Sequence, residues 1–143
     1  MSIPALQANS ELPSGEHLAT LDEVAATYGS SSARRKLLMK GLRKAVASFE
    51  LAGVSTIWLN GSFVTDKTEP NDIDGCWAYT SAVNIRELDP VFLGSREAMK
   101  NKYGLDFFIA DIMEADSGLP FPQFFQVNRN GEPKGIIVIK LGA

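Results

Sequence analysis

Trp58-Leu59-Asn60-Gly61-Ser62-Phe63 and Asn71-Asp72-Ile73-Asp74 are the two short stretches on which the fold of this 143-residue chain turns. Val54 to Asn60 is β-branched and aromatic, and its nearly unbroken apolar run suits a strand buried on both faces. Gly61-Ser62 breaks that strand. Nine residues, Lys67 and Pro70 among them, then separate Ser62 from Asp72, and a second strand is expected over about Ile73 to Tyr79. A strand that ends in Gly-Ser is thus followed by a strand that opens with Asp-x-Asp.

Upstream, Thr20-Leu21-Asp22-Glu23 has the form of a capping box and predicts a short helix over about 21–28, stopped at Gly29. Ser30-Ser31-Ser32 offers N-caps for a longer helix, roughly Ala33 to Ala52, with Gly53 as its stop. Leu38, Leu42, Ala45, Phe49 and Ala52 recur at spacings of four and three and make one buried stripe. Arg34, Arg35, Lys36, Lys40, Arg43 and Lys44 on that helix are expected to form a solvated face, with an acidic partner or RNA as the alternative use.

Downstream, Asp89-Pro90 suits a helix start and predicts a helix from Pro90 to about Lys102, against the breaking tendency of Gly94 and Ser95. Leu105 to Ile112 reads as a third strand. Phe124 to Val127 and Gly135 to Leu141 flank Asn130-Gly131 and suggest a hairpin. The plan is α+β: a mixed sheet with helices packed on one face. One domain is expected over 20–143, preceded at 1–19 by a polar arm, mobile or strapped over the surface.

Composition narrows the classes of function. Hydrophobic residues make up 45% and charged residues 22%, as in ordinary globular chains. No apolar run approaches the length of a membrane span, and the start of the chain has no secretory pattern. Cys76 is the one cysteine, so no intrachain disulfide can form and a reducing cytoplasm is the expected setting. With His17 the one histidine, neither a His-rich metal centre nor a Ser-His-Asp triad is expected. A net charge of -3 disfavours indiscriminate binding to phosphate backbones.

The chemistry concentrates at the opening motif. Gly61 lets the backbone approach a phosphate, and its amide and the Ser62 hydroxyl can donate to phosphate oxygens. Asp72 and Asp74, two apart on a strand, share one face and can converge on a hard cation such as Mg2+. The plainer reading makes Asp72 a turn cap and Asp74 an exposed strand residue. Trp58 and Trp77 could stack a base but are expected in the core, and Cys76 reads as a buried small side chain.

Hydrophobic-Gly-Ser followed by Asp-hydrophobic-Asp resembles the DNA polymerase β-type nucleotidyltransferase superfamily, over roughly Arg34 to Ile112. Within it the chain is most similar to minimal, one-domain nucleotidyltransferases, which include antitoxin partners of HEPN ribonuclease toxins. Leu12-Pro13-Ser14-Gly15-Glu16-His17, Gly61-Ser62-Phe63-Val64-Thr65-Asp66-Lys67 and Pro133-Lys134-Gly135 resemble, more narrowly, an uncharacterised family of small bacterial and phage proteins.

The resemblance implies a third carboxylate on a later strand. Asp106 is the matching position; Asp111, five residues on, would fall on the opposite face. It implies further that Asp72, Asp74 and Asp106 bind Mg2+ and form the catalytic set. Gly61 and Ser62 would hold the β- and γ-phosphates of an NTP. The arginine that often follows Gly-Ser is missing, and Lys67 is the candidate for its place, with a solvated loop lysine as the plainer reading. The implied activity is transfer of a nucleoside monophosphate to a protein or RNA acceptor, in a toxin–antitoxin or phage-defence pair. The alternative is an inactive relative that acts by binding a partner protein. Lys134 and Lys140 are expected to be surface residues.

Overall fold

The computed structural model describes residues 3–142. Local signals set its helices. Thr20 Oγ1 accepts from the Glu23 amide at 3.1 Å and Glu23 Oε1 accepts from the Thr20 amide at 2.9 Å, closing the capping box of α1 (Leu21–Tyr28). Ser32 caps α2 (Ala33–Ala52), which ends where Gly53 takes the left-handed conformation at φ 88°. Leu38, Leu42, Ala45, Phe49 and Ala52 are all buried, as their spacing predicts.

Five strands form one mixed sheet: β1 (Gly15–Leu18), β2 (Thr56–Asn60), β3 (Ile73–Trp77), β4 (Leu105–Ile109) and β5 (Gly135–Lys140), in the order β1-β5-β2-β3-β4. β1 runs parallel to β5 and β3 parallel to β4, while β2 is antiparallel to both of its neighbours. The fold is α+β, with four α-helices among the described residues; α3 spans Arg96–Tyr103 and α4 spans Phe121–Phe124.

Alternation along the strands builds two cores. Ile57, Leu59, Ile73, Trp77, Leu105, Phe107, Ile137 and Ile139 pack with residues of α1, α2 and α3 in the main cluster. Cys76 and Ile136 point the other way and pack with Ala110, Phe121 and Phe125 in a smaller one. The expectation of helices on a single face is therefore corrected in one respect: the short α4 covers part of the opposite face.

Three other expectations change. The helix starting at Pro90 is a single 3-10 turn, Pro90–Phe92; Leu93 and Gly94 separate it from α3, and the Ser95 side chain caps the new start by accepting from the Ala98 amide. The hairpin does not form. Its first arm is α4 and a bend, joined across the turn only by the isolated bridge Val127↔Pro133, and β5 pairs instead with β1 and β2. That interior position explains why Ile136, Ile137, Val138 and Ile139 are all buried. Finally, the stretch read as an arm at 1–19 supplies the edge strand β1 and places Leu12 in the core at 1% exposure. Met1, Ser2 and Ala143 lie outside the described residues.

Arg35 also departs from the solvated face expected of it. It is 2% exposed, and its guanidinium donates to the backbone carbonyls of Tyr28, Ser62, Phe63, Thr65 and Lys67 at 2.6–3.3 Å. It also stands 5.2 Å from the Phe63 ring centroid. Neighbouring Arg34 donates to the carbonyls of Pro70 and Asn71 at 3.0 and 2.7 Å. The two arginines thus hold the long loop from β2 to β3 against the start of α2. A buried charge without a carboxylate is tolerable only because so many carbonyl dipoles converge on it.

Arg35→Leu strips those carbonyls of their donor while keeping most of the side-chain volume. Urea denaturation is expected to show a loss of about 3 kcal/mol or more; a loss below about 1 kcal/mol would refute the clamp.

Candidate functional site

Strand register assembles the site. Asn60 on β2 stands opposite Asp74 on β3, and Asp74 stands beside Asp106 on β4. The three therefore lie in one row at one end of the sheet, on the face away from α2, because Ile73 and Leu105 next to them face the main core. Asp72 lies two residues before Asp74, just ahead of β3. Carboxylate oxygens of Asp72, Asp74 and Asp106 all lie within 4.8 Å of one another. Asp111, the competing position, is exposed and outside this group.

Gly61 follows directly in a 3-10 turn, Gly61–Val64, with φ 79°. A Cβ there would overlap Asp74 Oδ2, so the turn comes as close to the carboxylate as only glycine permits. Thr65 Oγ1 donates to the Ser62 carbonyl at 2.6 Å and closes the turn. Gly61, Ser62, Asp74 and Asp106 line an open cleft of about 600 Å³. Its far wall includes Phe124, Phe125 and Val127, and its polar rim includes Asn128, Arg129 and Lys134.

The protein's own cations lean on the carboxylates. Arg96 makes a two-pronged pair with Asp106, at 3.0 and 2.7 Å, and its guanidinium lies 5.2 Å from the Phe108 ring centroid. Lys100, one turn further along α3, reaches Asp72 at 3.5 Å and Asp106 at 3.8 Å. Both are exposed, Arg96 at 63% and Lys100 at 43% of the side chain. Asp74 has neither as an ion-pair partner. Burial first, then the charges of Asp72 and Asp106, push its carboxyl up from 3.8 to about 7, with Lys100 acting against them.

Three carboxyl groups this close, with that of Asp74 held back from ionising by burial and by its acidic neighbours, could hold a hard divalent cation such as Mg2+. Lys67 does not belong to this group. Its side chain is exposed and outside the cleft lining; what holds the residue is its carbonyl, under Arg35. Reasoning from spacing missed Arg96, Lys100 and Lys134, since nothing local to those residues marks them. Trp77 is fully buried against Phe49 and Tyr79 and is not available to a base. Trp58 packs beside the smaller core cluster. Cys76 is buried in that cluster, and burial pushes its thiol up, as suits a packing residue.

The raised Asp74 carboxyl has a signed consequence. Without metal, the folded protein keeps this proton up to about pH 7, whereas the unfolded chain releases it near 3.8. The folded state therefore binds more protons between those values, and this group's contribution to stability falls as pH rises through the window. Denaturation in a chelating buffer is expected to show Asp74→Asn gaining about 1 kcal/mol or more over the native protein at pH 8, with no gain near pH 4. An equal effect at both pH values would refute the carboxylate crowding.

No curated protein and no solved structure matches the chain. Residues 4–140, from ahead of β1 to the last residue of β5, match a protein-family model, and the chain belongs to that family, described as "Family of unknown function (DUF6932)".

Proposed function

We propose that the chain is a metal-dependent nucleotidyltransferase, which moves a nucleoside monophosphate from an NTP to a hydroxyl of a protein or RNA acceptor. One observation carries this reading: Asp72, Asp74 and Asp106 converge within 4.8 Å of one another, and Asp74 and Asp106 line an open cleft together with the Gly61-Ser62 turn. A volume of about 600 Å³ is in the range of small-ligand sites. The setting attached to this reading is a toxin–antitoxin or phage-defence pair, with a partner protein as toxin or acceptor.

Asp72 and Asp74 would hold Mg2+, with Asp106 as the third ligand; bound there, the ion would neutralise phosphate charge and offset that of the departing pyrophosphate. The Gly61 amide and the Ser62 hydroxyl donate to phosphate oxygens. The acceptor oxygen forms its bond to the α-phosphorus as the bond from that phosphorus to the β-bridging oxygen breaks, and the electron pair leaves with pyrophosphate. Asp106 takes the acceptor's proton once Arg96 has swung away. Asp106 is buried, so that movement leaves its carboxylate without a counter-charge unless the cation takes the place of the guanidinium.

Incubation with each NTP and Mg2+, with protein and RNA acceptors supplied, is expected to give a labelled adduct. Asp74→Ala is expected to reduce its formation at least ~100-fold, and undiminished transfer by that variant would refute the assignment.

A second reading is favoured by Arg96 and Lys100, which already neutralise Asp106 and Asp72. In it the chain is an inactive relative that acts by binding a partner protein. The two readings part on metal: the binding protein would take up no Mn2+ at the carboxylates at millimolar concentration, whereas the enzyme would.

A further inference from the structure

Lys134 stands just ahead of β5, the strand next to β2 in the sheet order. Its Nζ donates to Asn60 Oδ1 at 2.7 Å, and Asn60 immediately precedes the Gly61-Ser62 turn and pairs with Asp74. An ammonium has three N–H donors, and this bond uses one of them. Among the described residues Lys134 forms no ion pair with a carboxylate, although it is half-buried. Burial pulls its ammonium below the usual lysine range, with Glu11 and Asp74 acting the other way and Arg129 reinforcing the drop.

Following the strands from β5 to β2, β3 and β4, the cleft presents Lys134, then Gly61-Ser62, then Asp74, then Asp106. It is therefore basic at one flank, where Arg129 joins Lys134, and acidic at the other. Glu11 is the one acid lining the basic flank, and its Oε1 is engaged by Asn9 and Asn128 at 3.1 and 3.2 Å. A cation taken partly out of water, with donors to spare and no carboxylate in ion-pair contact, favours an anion beside it.

Building on the nucleotidyltransferase reading, we propose that Lys134, assisted by Arg129, receives the β- and γ-phosphates of the bound nucleotide, the part for which the family resemblance offered Lys67 as a candidate. The polarity of the cleft then orients the substrate. The α-phosphate lies toward the carboxylates, and the rest of the triphosphate runs past Gly61-Ser62 to the basic flank. The phosphate cation missing after Gly-Ser is supplied from the far end of the chain by sheet pairing.

Binding measurements on the full chain, with Ca2+ in place of Mg2+ to prevent turnover, test this with inorganic tripolyphosphate, ATP and AMP. Lys134→Ala is expected to weaken tripolyphosphate and ATP at least tenfold and AMP less than threefold. Lys134→Arg should recover most of the affinity. Lys67→Ala should change none of the three, and Mn2+ uptake should be the same in Lys134→Ala as in the native chain. Native affinity for tripolyphosphate in Lys134→Ala, or its loss in Lys67→Ala, would overturn the assignment and leave the enzymatic reading standing. A native chain that takes up Mn2+ but neither ATP nor tripolyphosphate would overturn the anion site alone, and one that takes up none of them would overturn both.

Discussion

A buried guanidinium, with Arg34 beside it, anchors the site's loop. Arg35 donates to five carbonyls, four of them between Ser62 and Lys67 and one at the end of α1. Without it, the residues between β2 and β3 would be a polar loop free to move away from the sheet end. With it, Ser62 and its neighbours are pinned to the start of α2, and Gly61 is left against Asp74. The clamp uses backbone acceptors, so it constrains the path of the loop more than the identity of its side chains.

The second constraint is register. Asn60, Asp74 and Asp106 sit on three neighbouring strands and fall in one row because β2–β3 and β3–β4 pair as they do. A shift of one residue in either pairing would turn a carboxylate into the main core and bring Ile73 or Leu105 out. Those two residues are fully buried on the other face, so the hydrophobic core itself enforces the alignment of the acids. Packing and site geometry are thus one requirement here. The electrostatic result is strain, since the acids repel one another and Arg96 and Lys100 offset only part of the charge. On the proposed reading, a bound cation would relieve that crowding and let Asp74 ionise.

Much of this was legible along the chain, where the cause is local. The Thr20–Glu23 capping box, the apolar stripe of α2 and the Gly53 stop depend on residues within a few positions, and the structure places those elements as read. The meeting of Asp106 with Asp72 and Asp74 was legible through strand alternation and family likeness together. What stayed hidden depends on distant partners. Gly15–Leu18 is a strand because β5 offers it an edge, and its own four residues carry little sign of that. Asn130-Gly131 resembles a hairpin turn, yet Phe124 and Phe125 pack with Phe121, and β5 pairs with β1 and β2 instead. Arg35 looks like its basic neighbours on α2 until the loop carbonyls close around it. Lys134 looks like a surface lysine until β5 takes its interior place beside β2.

The most direct test of the central claim is a crystal structure with Mn2+ and a nonhydrolysable NTP, with metal located by anomalous scattering. The account predicts a peak bonded at about 2.0–2.2 Å to oxygens of Asp72, Asp74 and Asp106, with Arg96 turned away and phosphates against Gly61-Ser62. Arg96 still paired to Asp106, with no metal between the carboxylates at saturating Mn2+ and nucleotide, would contradict it.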